Sequence, residues 1–128
     1  MENIARLRMA LTAAGLDMPI HVFGSLDTIT SPMYFLAGAD IFDGLTWLRF
    51  AFYKGYTMYK HNFGAIDLGT HVKTHLIDGR SWFHNYGYLM NMQLEMRRYL
   101  NEGDITSFTD HSDLFRQGLQ TTLEAVSS

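Results

Sequence analysis

The hydrophobic positions near the start of the chain repeat with the period of a helix. One side of the segment 4–14 carries Ile4, Leu7, Ala10 or Leu11, and Ala14. Gly15 follows, where a left-handed cap residue would end a helix. The pattern therefore predicts an amphipathic helix over residues 4–14.

Two short apolar runs follow this segment. Ile20–Gly24 and Ala39–Asp43 are typical of strands that are buried on both faces. Between them, residues 25–37 predict a loop that leads into a helix, with Ser25 or Ser31 as its N-cap. Strand, helix and strand in this order predict a βαβ unit with a parallel sheet. In such a sheet the functional residues lie at the carboxyl ends of the strands.

The rest of the chain is less regular in its middle and helical towards its end. Residues 47–79 are rich in aromatic residues and glycine, and they favour short strands. Residues 81–101 carry apolar side chains at helical spacing, with Ser81 as the candidate cap and Gly103 as the terminator. A second helix is predicted over Ser112–Val126, with its first residue as the cap.

The predicted elements make up only half of an architecture. Two parallel strands cannot bury both faces and both edges by themselves, and open edges invite pairing with another chain. We therefore expect that the chain assembles with itself or with another chain, or that it is a fragment.

Composition narrows the class of protein. The chain has 128 residues, of which 47% are hydrophobic, and this is enough for one folded domain with a core. Ten basic and thirteen acidic residues give a formal charge of −3, whereas autonomous nucleic-acid binders usually carry a basic excess. There is no cysteine, which excludes disulfides and thiolate zinc sites. No apolar stretch reaches the roughly 18 residues of a membrane span, so we expect a soluble, cytoplasmic protein.

The second predicted strand carries the most specific motif of the chain. Gly38-Ala39-Asp40-Ile41-Phe42-Asp43, preceded by residues 19–24 and followed by Arg49, resembles the last two strands of the guanine transglycosylases of the queuine and archaeosine type. Residues 83–104, which begin Phe-His-Asn, are similar to the C-terminal helix of that family. The two stretches lie in the family's order, and the resemblance covers residues 19–108.

This resemblance implies a fold and an activity. The family's enzymes are (β/α)8 barrels that exchange a guanine in tRNA, or in one branch in DNA, for a 7-deazaguanine base. The expected fold class is therefore α/β, a partial (β/α)8 barrel followed by a helical C-terminal segment. Residues 1–50 would form the last βαβ strands, 51–80 a remnant of the family's zinc region, and 81–128 the helical part of one domain. The expected partners are tRNA or DNA, a 7-deazaguanine base and a homo- or hetero-oligomeric partner chain. No membrane and no cofactor are expected.

The resemblance also assigns roles to individual residues. Asp43 falls at the position of the catalytic nucleophile, which captures the oxocarbenium-like C1′ as a covalent adduct. Phe23 falls where a side chain packs on the substrate base. His21, on the same side of the strand, and Gly24, at its end, are expected to bind the base with it. Arg49 falls at a position that contacts the polynucleotide.

Two departures from the family bear on these roles. The family's zinc site uses three cysteines and a histidine; His84 stands at the histidine position, but the cysteines are missing, so no metal is expected. The general acid/base aspartate and the base-recognition residues lie on earlier barrel strands, which this chain lacks. Alone, it should have no complete active site.

Plainer interpretations stay open for the same residues. Asp43 would otherwise cap a loop at a strand end, Phe23 would be a core residue, and Arg49 would be a surface charge. Asp40 is expected to be structural and to accept backbone hydrogen bonds where the strand begins. The alternative functions are a non-catalytic accessory subunit or remnant of such an enzyme, and a protein-interaction module whose motif is fortuitous.

Overall fold

The computed structural model describes all residues from Met1 to Ser128. It contains six α-helices, four short strands and one 3₁₀ turn. In chain order these are α1 (Glu2–Ala13), β1 (His21–Val22), α2 (Thr30–Leu36), β2 (Ile41–Phe42), α3 (Thr46–Arg49), β3 (Phe50–Tyr53), β4 (Tyr56–Tyr59), α4 (Lys60–Asp67), α5 (Thr74–Glu102), the 3₁₀ turn (Ile105–Ser107) and α6 (Ser112–Ser127). No helix is both long enough and apolar enough to cross a membrane.

The predicted βαβ unit is confirmed. β1 and β2 pair in parallel, with His21 opposite Ile41 and Val22 opposite Phe42, and α2 connects them. Both strands are only two residues long, shorter than predicted, and neither has a second neighbour in the sheet. β3 and β4 form a separate antiparallel pair. The fold is thus a mixture of helices and two small sheets, consistent with the predicted α/β class, and it shows no partial barrel.

The beginnings of β1 and β2 are held together by Arg8 of α1. Its guanidinium donates to the carbonyl oxygens of Met18 at 3.0 Å and Gly38 at 3.1 Å, and it pairs with the Asp40 carboxylate. Asp40 Oδ2 also accepts the backbone N–H of Ile20 at 2.8 Å. The structural role predicted for Asp40 is therefore confirmed.

The predicted cap of α2 is wrong. Neither Ser25 nor Ser31 caps the helix; instead, Asp27 Oδ1 accepts the backbone N–H groups of Ile29 at 2.9 Å and Thr30 at 2.6 Å. Ser31 lies inside the helix, where its buried hydroxyl accepts the backbone N–H of Asp27 at 2.9 Å. An aspartate that bonds to the backbone two and three residues ahead is an Asx turn, which satisfies the first helical donors as a cap would.

The middle segment is only partly as predicted. Short strands do form over residues 50–59, and the two-residue turn between them has positive φ at Lys54 (49°) and Gly55 (81°), as a type I′ hairpin requires. Residues 60–67, however, are helix α4, and α5 begins at Thr74, seven residues before the predicted start.

Ser81 is consequently not a cap but a fully buried residue inside α5. The extra turns of α5 are stabilised by packing against α4, where Ile77 fills the space beside Gly64. A Cβ on residue 64 would lie 2.8 Å from the Ile77 side chain, so this close packing requires a glycine at position 64. The end of α5 is as predicted, since Gly103 takes the left-handed conformation with φ 69°. α6 starts at Ser112 as predicted, but its cap position is His111.

The core lies between α5, α4 and the β3–β4 hairpin. Ala51, Phe52 and Phe63 are fully buried there. A second aromatic cluster joins α2, α5 and α6, where the ring of Phe108 lies 5.3 Å from that of Phe115 and 5.8 Å from that of Tyr99. The β1–β2 pair sits at the edge of this body, so the side chains at its carboxyl ends reach solvent.

Candidate functional site

The carboxyl ends of β1 and β2 bring together three of the residues that the sequence singled out. Asp43 directly follows β2, and Gly24 lies two residues after β1. The Gly24 N–H donates to Asp43 Oδ1 at 3.0 Å, and His21 Nε2 lies 2.7 Å from Asp43 Oδ2. Both oxygens of the carboxylate are therefore bonded, one by a residue of β1 and the other by the turn that follows β1, some twenty residues earlier in the chain.

The turn at Gly24 depends on glycine. Its φ is +71°, a conformation that residues with a Cβ rarely adopt, although open space surrounds the position. Gly44, the residue after Asp43, is close to the same turn, since a Cβ there would lie 3.3 Å from the Gly24 carbonyl carbon. The two strand ends thus approach each other closely, and this brings the Gly24 N–H within reach of Asp43.

The electrostatics of the site favour a charged carboxylate. The Gly24 N–H lowers the pKa of Asp43 below its ordinary value of 3.8, and the hydrogen bond and charge of His21 lower it further. The Asp43 side chain is 52% exposed. At neutral pH the carboxylate is therefore ionised, oriented by two hydrogen bonds and accessible to solvent.

Phe23 lies on the same side of the sheet as this pair. Its ring centroid is 4.1 Å from that of His21, at an interplanar angle of 33°, and the side chain is 78% exposed. The cross-strand partner of His21, Ile41, is exposed as well. His21, Phe23, Ile41 and Asp43 therefore form one open face of the β1–β2 pair, which we call the open face. A flat heterocycle can stack on an uncovered aromatic ring of this kind.

Arg49 is not part of this cluster. It is the last residue of α3, is exposed, and makes no hydrogen bond or ion pair with the residues of the open face. The backbone around it is nonetheless fixed, because Asn85 Nδ2 donates to the carbonyl oxygens of Trp47 and Phe50 at 2.8 Å each. Arg49 is thus a free cation on a rigid support.

The sequence predicted that His84 lies near the start of a helix. In the structure it lies within α5. Its ring packs 5.2 Å from that of Phe63 and 6.2 Å from that of Tyr53. No three His, Cys, Asp or Glu side chains of the chain are grouped closely enough to hold a metal ion. The family's zinc ion does not fit here, because the position of its histidine is surrounded by aromatic rings and the thiolates are missing.

One feature of the surface was not predicted from the sequence. A groove of about 520 Å³ runs between β2 and α5, beside the open face. Most of its lining is apolar, with Phe42 and Trp47 on one side and Tyr86, Met90 and Met96 on the other. The aromatic and methionine content of these segments is visible in the sequence. The placement of β2 beside a helix some fifty residues later depends on the tertiary fold.

No protein-family model, no curated protein and no solved structure matches the chain. The likeness to the guanine transglycosylases therefore rests on the residues of the two motifs and on the cluster that the parallel pair assembles.

Proposed function

We propose that this chain is the nucleophile-bearing part of a base-exchange glycosyltransferase, which replaces a guanine by a 7-deazaguanine base in tRNA or DNA. One observation carries the proposal: at the carboxyl ends of a parallel strand pair, an ionised Asp43 carboxylate is bonded on both oxygens, and its partner His21 packs against the exposed ring of Phe23. A nucleophile and a stacking platform on one open face are what such a reaction requires.

The chemistry proceeds in two displacements. In the first, a lone pair of an Asp43 oxygen forms a bond to C1′, while the electron pair of the C1′–N9 bond leaves with guanine, which takes a proton from a carboxylic acid on the partner chain. In the second, N9 of the incoming 7-deazaguanine bonds to C1′ and gives its proton to the carboxylate that this acid has become, and Asp43 leaves as a carboxylate. Phe23 packs against the face of the base in both steps.

The missing half of the site is assigned to a partner chain. In this proposal the β1–β2 pair corresponds to the last two strands of a (β/α)8 barrel, and the partner supplies the neighbouring strands with the acid/base and the base-recognition side chains. The open face and the unpaired strand edges support this, because an isolated parallel pair leaves apolar side chains and backbone groups uncovered. With a formal charge of −3, this chain also needs a partner for most of the phosphate contacts.

Intact-mass spectrometry tests the proposal directly. The chain is incubated with guanine-containing tRNA or DNA, alone and with the product of any neighbouring gene, and is then denatured. We expect a covalent nucleotide adduct that Asp43→Asn abolishes. Asp17→Asn is the matched control, since Asp17 is exposed and makes no side-chain hydrogen bond, and it should leave the adduct unchanged.

A second candidate function is a non-catalytic accessory subunit or remnant of such an enzyme. The observation that favours it is an apolar stripe along the outer side of α5, where Phe83 is 73% and Leu94 57% exposed. Such a stripe suits docking to another chain, and it does not depend on Asp43. A stable complex with a partner that never yields an adduct, in any combination, would establish this function and reject the first.

A further inference from the structure

The side chain of His21 is hydrogen-bonded to Asp43. Its Nε2 is 2.7 Å from Asp43 Oδ2, and Phe23 covers its ring at 4.1 Å. An ionised carboxylate can only accept hydrogen bonds, so Nε2 must carry the hydrogen, either in the neutral tautomer or in the imidazolium. Nε2, one of the two polar atoms of the imidazole, is thus already used before any base binds.

We propose that His21 is a positioning residue for Asp43 and makes no contact of its own with the base. This inference rests on the function proposed above, and it changes the role that the resemblance gave to His21. The Nε2–H on Oδ2 and the Gly24 N–H on Oδ1 together fix the plane of the carboxylate. One donor lies in β1 and the other in the turn after it, so the carboxylate cannot rotate without breaking one of these bonds.

A hydrogen bond to the Asp43 carboxylate affects the two displacements differently. A hydrogen bond to the carboxylate stabilises its negative charge, which is lost when the C1′–O bond forms and returns when that bond breaks. His21 therefore makes Asp43 a better leaving group, and its main effect falls on the second displacement. Removing the donor should slow the breakdown of the adduct more than its formation.

The first test needs no activity. The Asp43 carboxyl carbon is followed by ¹³C NMR in a pH titration of the full chain, in the wild type, His21→Phe and His21→Gln. Phenylalanine keeps a ring against Phe23 but has no donor, whereas glutamine keeps an N–H at a similar reach. We expect the pKa of Asp43 to rise in His21→Phe and to stay nearer the wild-type value in His21→Gln. His71→Phe, at an exposed site without side-chain hydrogen bonds, should leave it unchanged.

The second test separates the two displacements. The adduct formed without free base is isolated, and its decay is timed after addition of a 7-deazaguanine base. In His21→Phe we expect decay to slow by about tenfold, the usual effect of one charge-assisted hydrogen bond, with formation changed much less. In His21→Gln the decay rate should largely recover.

The outcomes distinguish this inference from the function on which it rests. An Asp43 pKa that is equal in the wild type and His21→Phe, with the remaining carboxyl signals unchanged, overturns the positioning role. Equal decay rates of the wild-type adduct and the His21→Phe adduct would overturn it as well. A raised pKa in a chain that forms no adduct in any combination supports the His21–Asp43 pair and rejects the glycosyltransferase instead.

Discussion

Asn85 Oδ1 accepts the backbone N–H of Phe52 at 2.7 Å, inside the core. The same side chain donates from Nδ2 to the carbonyl oxygens of Trp47 and Phe50 at 2.8 Å. One fully buried amide thereby joins α5 to both ends of the segment that carries Arg49. Its donors and acceptor are all used, which is how a polar side chain is tolerated in an apolar interior.

Replacing Asn85 by alanine should lower the free energy of unfolding by about 3 kcal/mol, because it leaves one buried N–H and two carbonyl groups without partners. Urea denaturation followed by circular dichroism measures this. Asn91→Ala is the control: Asn91 is exposed on the same helix and bonds only to Glu95, so its loss should change stability by less than about 0.5 kcal/mol. Equal effects of the two substitutions would contradict the prediction.

Gly55→Ala should destabilise the chain by about 2 kcal/mol. Gly55 has φ 81° in the β3–β4 turn, and a Cβ there would lie 2.6 Å from His111 Nε2 and 2.8 Å from the Asp110 Cβ. The substitution therefore adds conformational strain and a steric clash. Gly79→Ala provides a contrast, since Gly79 lies in α5 with open space around it, and it should raise stability by about 0.5 to 1 kcal/mol. Thermal unfolding of the two variants should shift in opposite directions.

Phe23→Ala should separate function from stability. The ring is 78% exposed, so its removal should change the free energy of unfolding by less than about 0.5 kcal/mol. If Phe23 stacks on the base, kcat/KM for base exchange should fall by about tenfold or more, since a stacked base contributes roughly 1–3 kcal/mol. The prediction fails if activity is retained, or if unfolding shows that the ring supports the fold.

Acid should weaken the fold partly through Asp43. The pKa of Asp43 lies below 3.8 in the folded chain, so its ionised form contributes stability that is complete above the unfolded value and is lost as the pH falls through the folded value. The difference in unfolding free energy between the wild type and Asp43→Asn should therefore be constant near neutral pH and should shrink below pH 3.8. Using the difference matters, because the pKa of Asp104 is also lowered, mainly by the N–H of Thr106. A difference that grows in acid would contradict the assignment.

The sequence predicted the elements whose signals are local. Periodic apolar positions located α1 and α6, and Gly103 located the end of α5, because a left-handed cap is a property of one residue. The start of α5 was missed because Thr74–Arg80 has no capping side chain and includes a glycine. It is helical because Ile77 packs against Gly64, a contact between residues 13 positions apart that no local pattern encodes.

The site was predictable to a similar extent. Short apolar runs indicated that Gly24 and Asp43 would lie at neighbouring strand ends, and alternation placed His21 beside Phe23. The direct bond between His21 and Asp43 was not foreseen, because it depends on the register that sets His21 opposite Ile41. A shift of one residue would have turned His21 to the other face of the sheet.

That register has few backbone hydrogen bonds to hold it, since each strand pairs over two residues. The two aspartates that flank β2 compensate. Asp40 stabilises the beginning of the pair through Ile20 and Arg8, and Asp43 stabilises its end through Gly24 and His21. Asp43 thus stabilises the strand pair, in addition to its proposed role as nucleophile. Selection for folding alone would keep an aspartate at this position in a descendant that had lost its chemistry. Across related genomes, the replacement of Phe23 should therefore mark the loss of catalysis earlier than the replacement of Asp43.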